Sequence, residues 1–592
     1  MAPHFTAELA LSQLQNPSNV QALIDTLDFQ STSSARSNQV ACALAGNLRF
    51  ADTEISLAAK KSGQAAALLM AWDKYGAEML QHIGGAFALA VVDAGAGSVL
   101  LAVDRFSVQT LCYCLDGDNL SFSDRADCVA GRGEEIDPQA LFDYLYFHVI
   151  PAPRTIFSKV KRVPAAHALL IDASGVNEFR HSPLDFDERY REPFSVAKES
   201  FRSLIRESVA EEIEGHVQVG AFLSGGTDSS TVCGMLGQIT GAPTKAYSIG
   251  FEAEGYDEME YARLAARHFG CDHHEYYVTP ADLSASLPDV ARHHDQPFGN
   301  SSALPAYYCA KMAKSDGCTK MLAGDGGDEL FGGNSRYAAQ RFFDYYHRVP
   351  AGLQRLIEPM CGDESILRRI PGLRQATGYV RHSRQPMPER MQSFNLIKHL
   401  DPAKVLSAEL LVRIDADEPT RHMRGTWNEC KAPSLINRML AYDWRYTLAD
   451  SDLPKVRGAT DMAGIAVGYP LLSDRITDFS MRLAPEWKLK GFKLRWFFKE
   501  ALRGYLPDEI ITKKKKGFGL PFGVWAARDP ALRKLAEESL QGLVERRILR
   551  EDFARRLVAE YLPEHPGYYG EMVWILIILE QWLRVEAPEF RM

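Results

Sequence analysis

The sequence predicts an α/β protein with two domains, the second of which is built on a doubly wound parallel sheet. Three observations lead to this prediction. Short strands separated by Gly and Asp turns fill residues 38 to 180, whereas strands and helices alternate from about residue 195 to residue 335. The polar segment 182–192 (SPLDFDERYRE), which contains a proline, separates the two patterns. We therefore expect domains over residues 1–185 and 195–592.

Apolar runs of four to six residues mark the strands of the first domain, and a helix is expected over Gln64–Tyr75. The predicted strands are Phe87–Val92, Ser98–Val103, Leu120–Ser123, His167–Asp172 and Val176–Arg180. Strands outnumber helices here, so we expect a mainly β region with a few helices, which is an α+β arrangement.

In the second domain, each apolar run typical of a strand is followed by a helical pattern. Strands are predicted at Val217–Leu223, Lys245–Ile249, His274–Val278 and Lys320–Leu322. Helices are predicted at Val196–Glu212, from Ser229 onward, at Glu258–Phe269 and at Ala306–Lys314. This alternation is typical of a parallel sheet with helices on both faces. The remainder, from about residue 335, is expected to be mostly helical.

The composition excludes several classes of function. The chain has 592 residues and a formal net charge of −9, which argues against nucleic acid or an anionic membrane as the main partner. Its ten cysteines include no CxxC pair and no zinc-type spacing, so we expect reduced thiols. The N-terminus does not have the pattern of a signal peptide, and the apolar run Met572–Leu583 contains Glu580 and is too short to span a bilayer. We expect a cytoplasmic protein.

The seven residues Ser224–Ser230 (SGGTDSS) join a predicted strand to a predicted helix in the pattern of a phosphate-binding loop. Gly225 and Gly226 let the backbone turn sharply and bring its N–H groups close to an anion. The following helix adds the positive end of its dipole. Asp228 would repel a bare phosphate, so the pattern implies Mg²⁺ between this carboxylate and the phosphate oxygens. The hydroxyls add further donors, from Ser224, Ser229 and Ser230.

A polar strand-to-helix turn without a ligand is the alternative interpretation, but this set of residues at this spacing favours a nucleotide site. The loop resembles the pyrophosphatase loop of the N-type ATP enzymes, which release pyrophosphate and leave AMP on the substrate. Segment 323–333 (AGDGGDELFGG) resembles the SGDGGDELFGG motif of the asparagine synthetase family. Alone, it fits a calcium loop or a solvated turn as well. The resemblance covers about residues 195–585, and it implies ATP and Mg²⁺ as cofactors.

The resemblance also implies roles for individual residues. Asp328 matches the family's metal-binding aspartate, and Asp325 matches the acidic residue near the reacting carboxyl group. Lys515 matches a lysine beside the adenylate, although a lysine run such as Lys513–Lys516 is usually a solvated face. Ile249 and Gly324 are expected to line the adenine and ribose. For the fold, the resemblance implies an N-terminal Ntn-hydrolase-like αββα domain and a C-terminal domain similar to adenine-nucleotide hydrolases, with a helical extension.

The first domain departs from the family pattern. Family members begin Met-Cys-Gly, with the cysteine as the nucleophile that hydrolyses glutamine, whereas this chain begins Met1-Ala2-Pro3. The HRGPD and NGEIYN elements that seat glutamine are also absent, and segment 45–49 (AGNLR) stands in their place. Segments 84–88 and 104–106 keep the β framework. We therefore expect a glutaminase-like domain without glutaminase activity.

A second departure lies in the substrate half. The family pattern SLEVRVPFLD corresponds here to segment 464–473 (GIAVGYPLLS), which has no charged residue. This loss suggests a larger or less charged acyl substrate. Among amide-forming relatives, the chain resembles lasso-peptide cyclases best. β-Lactam and carbapenam synthetases use a tyrosine–glutamate pair, and Asp325 and Ala466 stand at or near those positions.

We therefore expect ATP-dependent amide formation through an acyl-adenylate, with Lys515 stabilising charge and Asp325 as proton acceptor. The partners would be a carboxylate-bearing small molecule or peptide, an amine nucleophile and biosynthetic partner proteins, in a setting such as lasso-peptide biosynthesis. An ammonia-dependent asparagine synthetase and a non-catalytic nucleotide-binding regulator remain as alternatives. The histidine pairs 273–274 and 293–294 lack the ligand spacing of known metal sites, which favours structural roles.

Overall fold

The computed structural model describes residues 5–14, 33–131, 133–190, 192–357, 361, 373–393, 395–514 and 519–592. Within these ranges the chain forms the mixed α/β structure that the sequence predicts. Antiparallel sheets occupy the N-terminal third, and a parallel sheet occupies the middle. Among the described residues, no helix combines the length and the apolar character needed to cross a membrane.

Two antiparallel sheets form the N-terminal region. Their ten strands are β1 Thr6–Ala10, β2 Ser34–Arg36, β3 Val40–Phe50, β4 Ile83–Asp93, β5 Ser98–Val103, β6 Cys112–Asp116, β7 Asn119–Ser123, β8 Lys161–Arg162, β9 His167–Asp172 and β10 Gly175–Arg180. One sheet has the order β1-β7-β6-β8, and the other has the order β10-β9-β5-β4-β3-β2. All five predicted strands are confirmed within these bounds.

The alternation of apolar residues along β4 and β5 explains how the two sheets pack. Ala88, Ala90 and Val92 face Phe122 of the other sheet across one core. The intervening residues, such as Leu89, face the opposite way and pack on helices Thr53–Ser62 and Gln64–Tyr75. Helix Ala126–Ala130 lies against β6 and β7, and its Ala126 is in the same core as Cys112 of β6. The resulting layers, helix-sheet-sheet-helix, agree with the predicted αββα arrangement.

A five-stranded parallel sheet follows. Its strands are β11 Val219–Phe222, β12 Lys245–Phe251, β13 Asp272–Val278, β14 Lys320–Leu322 and β15 Ala466–Gly468, in the order β13-β12-β11-β14-β15. From β11 the chain moves outward to β12 and β13, and it then returns to place β14 on the other side of β11. This reversal creates a crevice at the carboxyl ends of β11 and β14, where ligands bind in doubly wound folds. The four predicted strands of this sheet are confirmed.

The fifth strand, β15, is an exception in a region that is otherwise mostly helical, as expected. It is only three residues long and joins the sheet beside β14, with Leu322 opposite Gly468. A short hairpin of β16 (Leu489–Lys490) and β17 (Lys493–Leu494) is a second exception. Both are too short to show a period of two in the sequence.

Helices cover both faces of the parallel sheet and form most of the C-terminal half. Those that connect the strands are Phe194–Ile213, Thr227–Thr240, Met259–Phe269, Pro280–His293 and Ala303–Ser315. The later α-helices are Gly327–Phe331, Ser335–Asp344, Ala351–Ile357, Leu373–Arg384, Leu396–Leu400, Pro402–Val405, Ala408–Leu411, Glu418–Glu429, Leu435–Asp443, Leu453–Ala463, Asp474–Arg482, Pro485–Lys488, Trp496–Leu502, Asp508–Thr512, Phe522–Ala526, Pro530–Glu545, Glu551–Arg556, Leu562–Glu564 and Pro566–Glu586.

The apolar run Met572–Leu583 lies in the long helix Pro566–Glu586, which is buried in the C-terminal core. The one acidic residue of the apolar run, Glu580, is 2% exposed. Glu580 accepts hydrogen bonds from Arg546 Nε and from Arg584 Nε, each at 2.9 Å. Arg546 also donates to the backbone carbonyls of Ala587, Pro588 and Phe590. A charged residue is tolerated inside this helix because it is paired on both sides.

We predict that Arg546→Met lowers the free energy of unfolding by about 3 kcal/mol or more, since it leaves the buried Glu580 carboxylate without its main partner. Urea unfolding followed by tryptophan fluorescence measures the change. Arg533→Met, which removes an exposed arginine paired with Glu537, is the matched control and should shift the midpoint little. Equal effects of the two substitutions would contradict the structural role of Arg546.

Candidate functional site

The two glycine-rich loops lie side by side at the carboxyl edge of the parallel sheet. The loop 223–226 follows β11, and the loop 323–326 follows β14, which is the neighbouring strand. Their contact leaves no room for side chains: a Cβ on Gly324 would lie 2.6 Å from the backbone nitrogen of Ser229. A Cβ on Gly327 would lie 2.2 Å from a carboxylate oxygen of Asp228. The topology therefore brings together two motifs that are about 100 residues apart in the sequence.

The phosphate-binding pattern SGGTDSS adopts a tight turn before helix Thr227–Thr240. Gly225 has φ of +68°, and a Cβ there would lie 2.4 Å from the backbone nitrogen of Ala262. Ser229 Oγ accepts a hydrogen bond of 3.1 Å from the backbone N–H of Ser224. Ser230 is fully buried, and its hydroxyl has no hydrogen-bond partner among the described residues. A buried unpartnered donor at a helix N-terminus is suited to bind an anionic ligand.

Asp228 and Asp328, the two predicted metal ligands, share one arginine. Arg495 Nη1 lies 2.7 Å from Asp228 Oδ2 and 2.8 Å from Asp328 Oδ1. Its Nη2 donates a second bond to Asp228. The guanidinium also lies over the ring of Phe498, at 4.2 Å from the centroid. The two carboxylates therefore converge on a single cation, which here is an arginine, and their role as metal ligands stays a prediction.

The sequence analysis did not identify Arg495. It follows the short hairpin β16–β17 and starts helix Trp496–Leu502 with a left-handed backbone, φ +55°. A non-glycine residue in this region costs about 1 kcal/mol or more, which the contacts of the guanidinium offset. An isolated arginine outside any motif gives no signal in the sequence. Only the fold shows that its side chain reaches both loops.

The residues fit magnesium that arrives with a nucleotide. Mg²⁺ is held in such sites by one or two carboxylates together with phosphate oxygens and water. Asp228 and Asp328 supply two carboxylates at a common point. Within the described ranges, no group of three or more His, Cys, Asp or Glu side chains is arranged to hold a metal ion by itself. The remaining ligands would have to come from the nucleotide and from water.

Asp325 lies beside a second cation that the sequence analysis missed. Lys455 Nζ lies 3.4 Å from Asp325 Oδ1 and 3.0 Å from Asp452 Oδ1. Burial raises the pKa of Asp325, and Lys455 opposes this effect. Burial acts to lower the pKa of Lys455, but Asp452 and Asp325 together hold it above the ordinary value, so the lysine stays charged. The spacing of Asp452 and Lys455, three residues apart, is a helical pairing that could have been read from the sequence.

A stretch of π-helix aims these groups at the site. The segment Trp444–Asp452 joins helix Leu435–Asp443 to helix Leu453–Ala463. Inserted π-turns re-aim side chains and are frequent at functional sites. Asp452 ends this segment and Lys455 follows it, and Lys455 pairs with both Asp452 and Asp325.

Glu329 forms the buried floor of the site and is 6% exposed. Burial, together with the nearby carboxylates of Asp452 and Asp443, raises its pKa to about 8. Asp443 keeps its own charge partners, since Tyr337 Oη donates to it at 2.6 Å and Arg336 lies 3.2 Å away. Glu329 is therefore protonated at neutral pH and adds no charge to the site.

The other predicted site residues fall in the same region or outside the described residues. Ile249 lies on β12 and is buried, and Gly324 touches Ser229. Lys515 lies outside the described residues, so its role stays a prediction. The chain that leads to it is anchored: Lys513 Nζ lies 3.1 Å from Glu258 Oε2 and 4.3 Å from the centroid of the Tyr261 ring. Tyr261 is in turn next to the position of Gly225.

The predicted structural histidines have hydrogen-bond or packing partners. His273 Nε2 lies 2.7 Å from Ser248 Oγ, and His294 stacks on Phe298 at 4.5 Å between ring centroids. Burial lowers the pKa of His294 to about 3, so this ring is neutral. These contacts favour the structural interpretation.

In the N-terminal region, segment 45–49 runs along β3 and contacts β4. A Cβ on Gly46 would lie 2.1 Å from the carbonyl oxygen of Ala86, so this stretch is closely packed. Arg49 pairs with Glu211 at 2.7 Å and with Glu212 at 3.1 Å on helix Phe194–Ile213. Residues 45–49 therefore attach this region to the next one. Residue 2, where the family nucleophile would stand, lies outside the described residues.

Comparison with known proteins agrees with this geometry. The family model for asparagine synthase matches residues 200–584, and the model for a glutamine amidotransferase domain matches residues 47–182. A protein of Bacillus subtilis named asparagine synthetase (glutamine-hydrolyzing) 1 is 25% identical over 534 residues, which cover 87% of this chain and 80% of that protein.

Two further relatives match about four fifths of this chain. A putative asparagine synthetase (glutamine-hydrolyzing) of Mycobacterium tuberculosis is 26% identical and covers 78% of this chain and 71% of its own length. A protein of Penicillium rubens named amidase chyE is 23% identical, with coverage of 78% of this chain and 73% of that protein.

The natural protein should become less stable as pH rises, because Glu329 has a raised pKa in the folded state. We predict that Glu329→Gln abolishes this pH dependence. The unfolded glutamate loses its proton near its ordinary pKa of 4.5, whereas the folded one keeps it up to about 8. Stability therefore falls as pH rises through this window and levels off above it. Because glutamine does not ionise, the melting temperature of the variant relative to the natural protein should rise between about pH 5 and about pH 8.

Thermal unfolding at a series of pH values measures this difference. Glu254→Gln, a substitution of an exposed glutamate, is the control and should follow the natural protein at every pH. A constant difference between Glu329→Gln and the natural protein would contradict the raised pKa of Glu329.

Proposed function

We propose a function from one premise: the chain belongs to the asparagine synthase family. It is an ATP-dependent carbon–nitrogen ligase that activates a carboxylate as an acyl-adenylate, releases pyrophosphate and passes the acyl group to an amine. The observation that carries this proposal is the convergence of Asp228 and Asp328 at the switch point of the parallel sheet. Their two loops face the place where the triphosphate of a nucleotide would lie.

The first half of the reaction uses the loop that follows β11. The N-terminus of helix Thr227–Thr240 offers backbone N–H groups and a positive dipole to the phosphates. Donors for the leaving pyrophosphate come from Ser224, Gly225, Gly226, Ser229 and Ser230. Asp228 and Asp328 would hold Mg²⁺, which supplies charge neutralisation to the pyrophosphate when it is bound. Arg495, which lies between them, provides a second positive charge on the same side.

The second half uses the cluster of Asp325, Asp452 and Lys455. Attack by a neutral amine on the acyl-adenylate leaves a proton that must be removed. Asp325 is suited to accept this proton, because the raised pKa of its carboxyl group is closer to the pKa of the protonated amine. Lys455 keeps Asp325 in place through an ion pair. Lys515 is the proposed cation for the oxyanion that forms during the attack.

We propose that the region matched by the glutamine amidotransferase model does not hydrolyse glutamine. Nucleophilic cysteines have a lowered pKa and an exposed thiol. Burial raises the pKa of Cys42 to about 12 and that of Cys128 to about 11, and it also raises the pKa of Cys112 and Cys114. Among the described residues of this region, the cysteines are Cys112, Cys114 and Cys128, Cys42 lies just before it, and none of the four fits the role. The division into domains at about residues 185–195 is part of the same proposal, and the limits of the two matches support it.

The acyl substrate that we propose is a peptide or a specialised metabolite, with the amine in the same molecule or in a second one. The support is the uncharged segment 464–473 around β15, at the edge of the sheet next to β14. A macrolactam cyclase of the lasso-peptide type would need such a surface, and it would work with the proteins that supply its precursor. We propose that it acts in the cytoplasm, without nucleic acid or membrane as partner.

A second candidate is an ammonia-dependent asparagine synthetase. The names of two relatives support the synthesis of asparagine, although both names describe glutamine-hydrolyzing enzymes. An ammonia-dependent synthetase requires a site for the charged α-amino and α-carboxyl groups of aspartate. ATP–pyrophosphate exchange with a panel of acids separates the candidates. Exchange with aspartate alone supports the synthetase, whereas exchange with larger carboxylates or peptides supports our proposal. Nucleotide binding without exchange for any acid would instead indicate a regulator.

We predict that Asp228→Asn and Asp328→Asn each lower ATP–pyrophosphate exchange by about a hundredfold or more, because each removes half of the charge that holds the cation of the leaving group. Asp187→Asn, at an exposed position near the linker, is the matched control and should leave the exchange unchanged. Full exchange in Asp328→Asn would contradict the proposal that the two loops act together.

We predict that the purified protein releases no glutamate from glutamine, whether or not ATP and an accepted acyl substrate are present. The physical reason is the raised pKa of the described cysteines in the N-terminal region. Coupled glutamate dehydrogenase assays measure the release. If glutamate does appear, Cys42→Ser and Cys128→Ser will show whether either thiol is responsible, and in that case the proposal for this region is wrong.

A further inference from the structure

Two cysteines that are 38 positions apart in the sequence lie in contact near the phosphate-binding loop. Cys233 Sγ and Cys271 Sγ are separated by 3.5 Å. A disulfide bond is about 2.05 Å long, so bond formation requires the sulfurs to move together by about 1.5 Å. Neither residue belongs to the site that binds the nucleotide or the acyl group. The pair therefore calls for a separate explanation.

The two thiols differ in exposure and in chemistry. Cys233 is buried in helix Thr227–Thr240, whereas Cys271 is half-buried just before β13. The hydrogen bond from Cys233 lowers the pKa of Cys271. The same contact, together with burial, raises the pKa of Cys233 well above its ordinary value. The thiol of Cys271 is accessible to solvent and ionises more readily, and the buried thiol of Cys233 is in contact with it. This is the arrangement of an attacking cysteine and a resolving cysteine.

We propose that Cys233 and Cys271 form a reversible disulfide when the protein meets a hydroperoxide, and that this bond weakens nucleotide binding. The Cys271 thiolate attacks one peroxide oxygen, the O–O bond breaks, and a sulfenic acid forms with release of water or an alcohol. Cys233 then attacks the sulfenic sulfur, the S–S bond forms, and the hydroxyl group leaves as water with the thiol proton. Two thiols are oxidised by two electrons, and the peroxide is reduced by two electrons.

The location of the pair connects it to the phosphate-binding loop. Cys233 is on the helix whose first turn carries Asp228, Ser229 and Ser230. The backbone N–H of Cys271 donates to the carbonyl of Ala266 at 2.9 Å, at the end of helix Met259–Phe269. The two helices are in close contact, since a Cβ on Gly234 would lie 2.5 Å from the ring of Phe269.

The phosphate-binding loop itself is wedged against the second of these helices. A Cβ on Gly225 would lie 2.4 Å from the backbone nitrogen of Ala262. Because the loop is in close contact with helix Met259–Phe269 at Gly225, a movement of helix Thr227–Thr240 toward Cys271 is expected to shift the loop. A displacement of about 1 Å in a binding site can lower function by about a hundredfold. The disulfide should therefore weaken the affinity for MgATP by about tenfold to a hundredfold.

To test the proposal, the reduced protein of 592 residues is treated with hydrogen peroxide and then digested under non-reducing conditions. Mass spectrometry should find the peptides of Cys233 and Cys271 linked, and dithiothreitol should release them. Titration with a fluorescent ATP analogue should show a raised dissociation constant in the oxidised protein that dithiothreitol reverses. Cys271→Ser should form no link and keep its affinity under peroxide.

Cys128→Ser, which removes an exposed cysteine elsewhere, is the matched control and should behave like the natural protein. Absence of the linked peptide under peroxide, or equal loss of affinity in Cys271→Ser, would overturn the proposal. If the disulfide forms without any change in nucleotide affinity, the proposed effect of the disulfide on nucleotide binding is wrong. The affinity measurement rests on the proposed function, but the peptide link does not. A protein that binds no nucleotide even when reduced would refute the proposed function, and the proposed disulfide would then be judged on the link alone.

Discussion

Asp228 and Asp328 come from separate loops, and the fold brings their carboxylates to the same point, where they share the guanidinium of Arg495. Two like charges at this distance repel each other strongly in a partly buried site, so the arrangement requires a cation between them. Arg495 is 6% exposed, and it reaches this position from a backbone conformation that few residues adopt. The close contact of the two glycine-rich loops, the order of the strands and the position of helix Trp496–Leu502 all serve this pairing.

The same constraint explains which parts of the site the sequence could predict. The residues of the SGGTDSS loop and Asp325 and Asp328 stand in compact motifs, and the alternation of strands and helices places both motifs at the ends of parallel strands. Arg495 acts across the fold, and its neighbours in the sequence do not mark it, whereas Lys455 stands three residues after Asp452 and could have been read as a helical ion pair. Charge balance indicates that such cations exist, because carboxylates that are predicted to lie close together in a buried site need positively charged partners. β15 was missed for another reason: three residues give no periodicity, and its pairing with β14 is decided by tertiary contacts.

The N-terminal region contains the antiparallel sheets of a region that matches a glutamine amidotransferase model, and its contacts show a physical role that does not depend on glutamine hydrolysis. Asp474 accepts a hydrogen bond of 2.9 Å from the backbone N–H of Gly85, and Arg105 pairs with Asp478 at 2.7 Å. Phe106 packs edge-on against Trp444, at the start of the π-helical segment that positions Asp452. Loss of this region would expose that segment to water. A domain can therefore be kept for the support that it gives to a neighbouring site.

The charges around the site also explain why a bare nucleotide would bind poorly. With Glu329 neutral, the described ion pairs of Asp228, Asp328, Asp325 and Asp452 at the site are made with two cations, Arg495 and Lys455. Lys455 is committed to Asp325 and Asp452, so the side that faces the phosphates has two carboxylates and one arginine. Added phosphate charge would be repelled unless a divalent cation came with it. Because Glu329 is neutral, the excess negative charge stays small enough for one divalent metal ion to balance, which is the charge balance that the proposed magnesium-bound nucleotide requires.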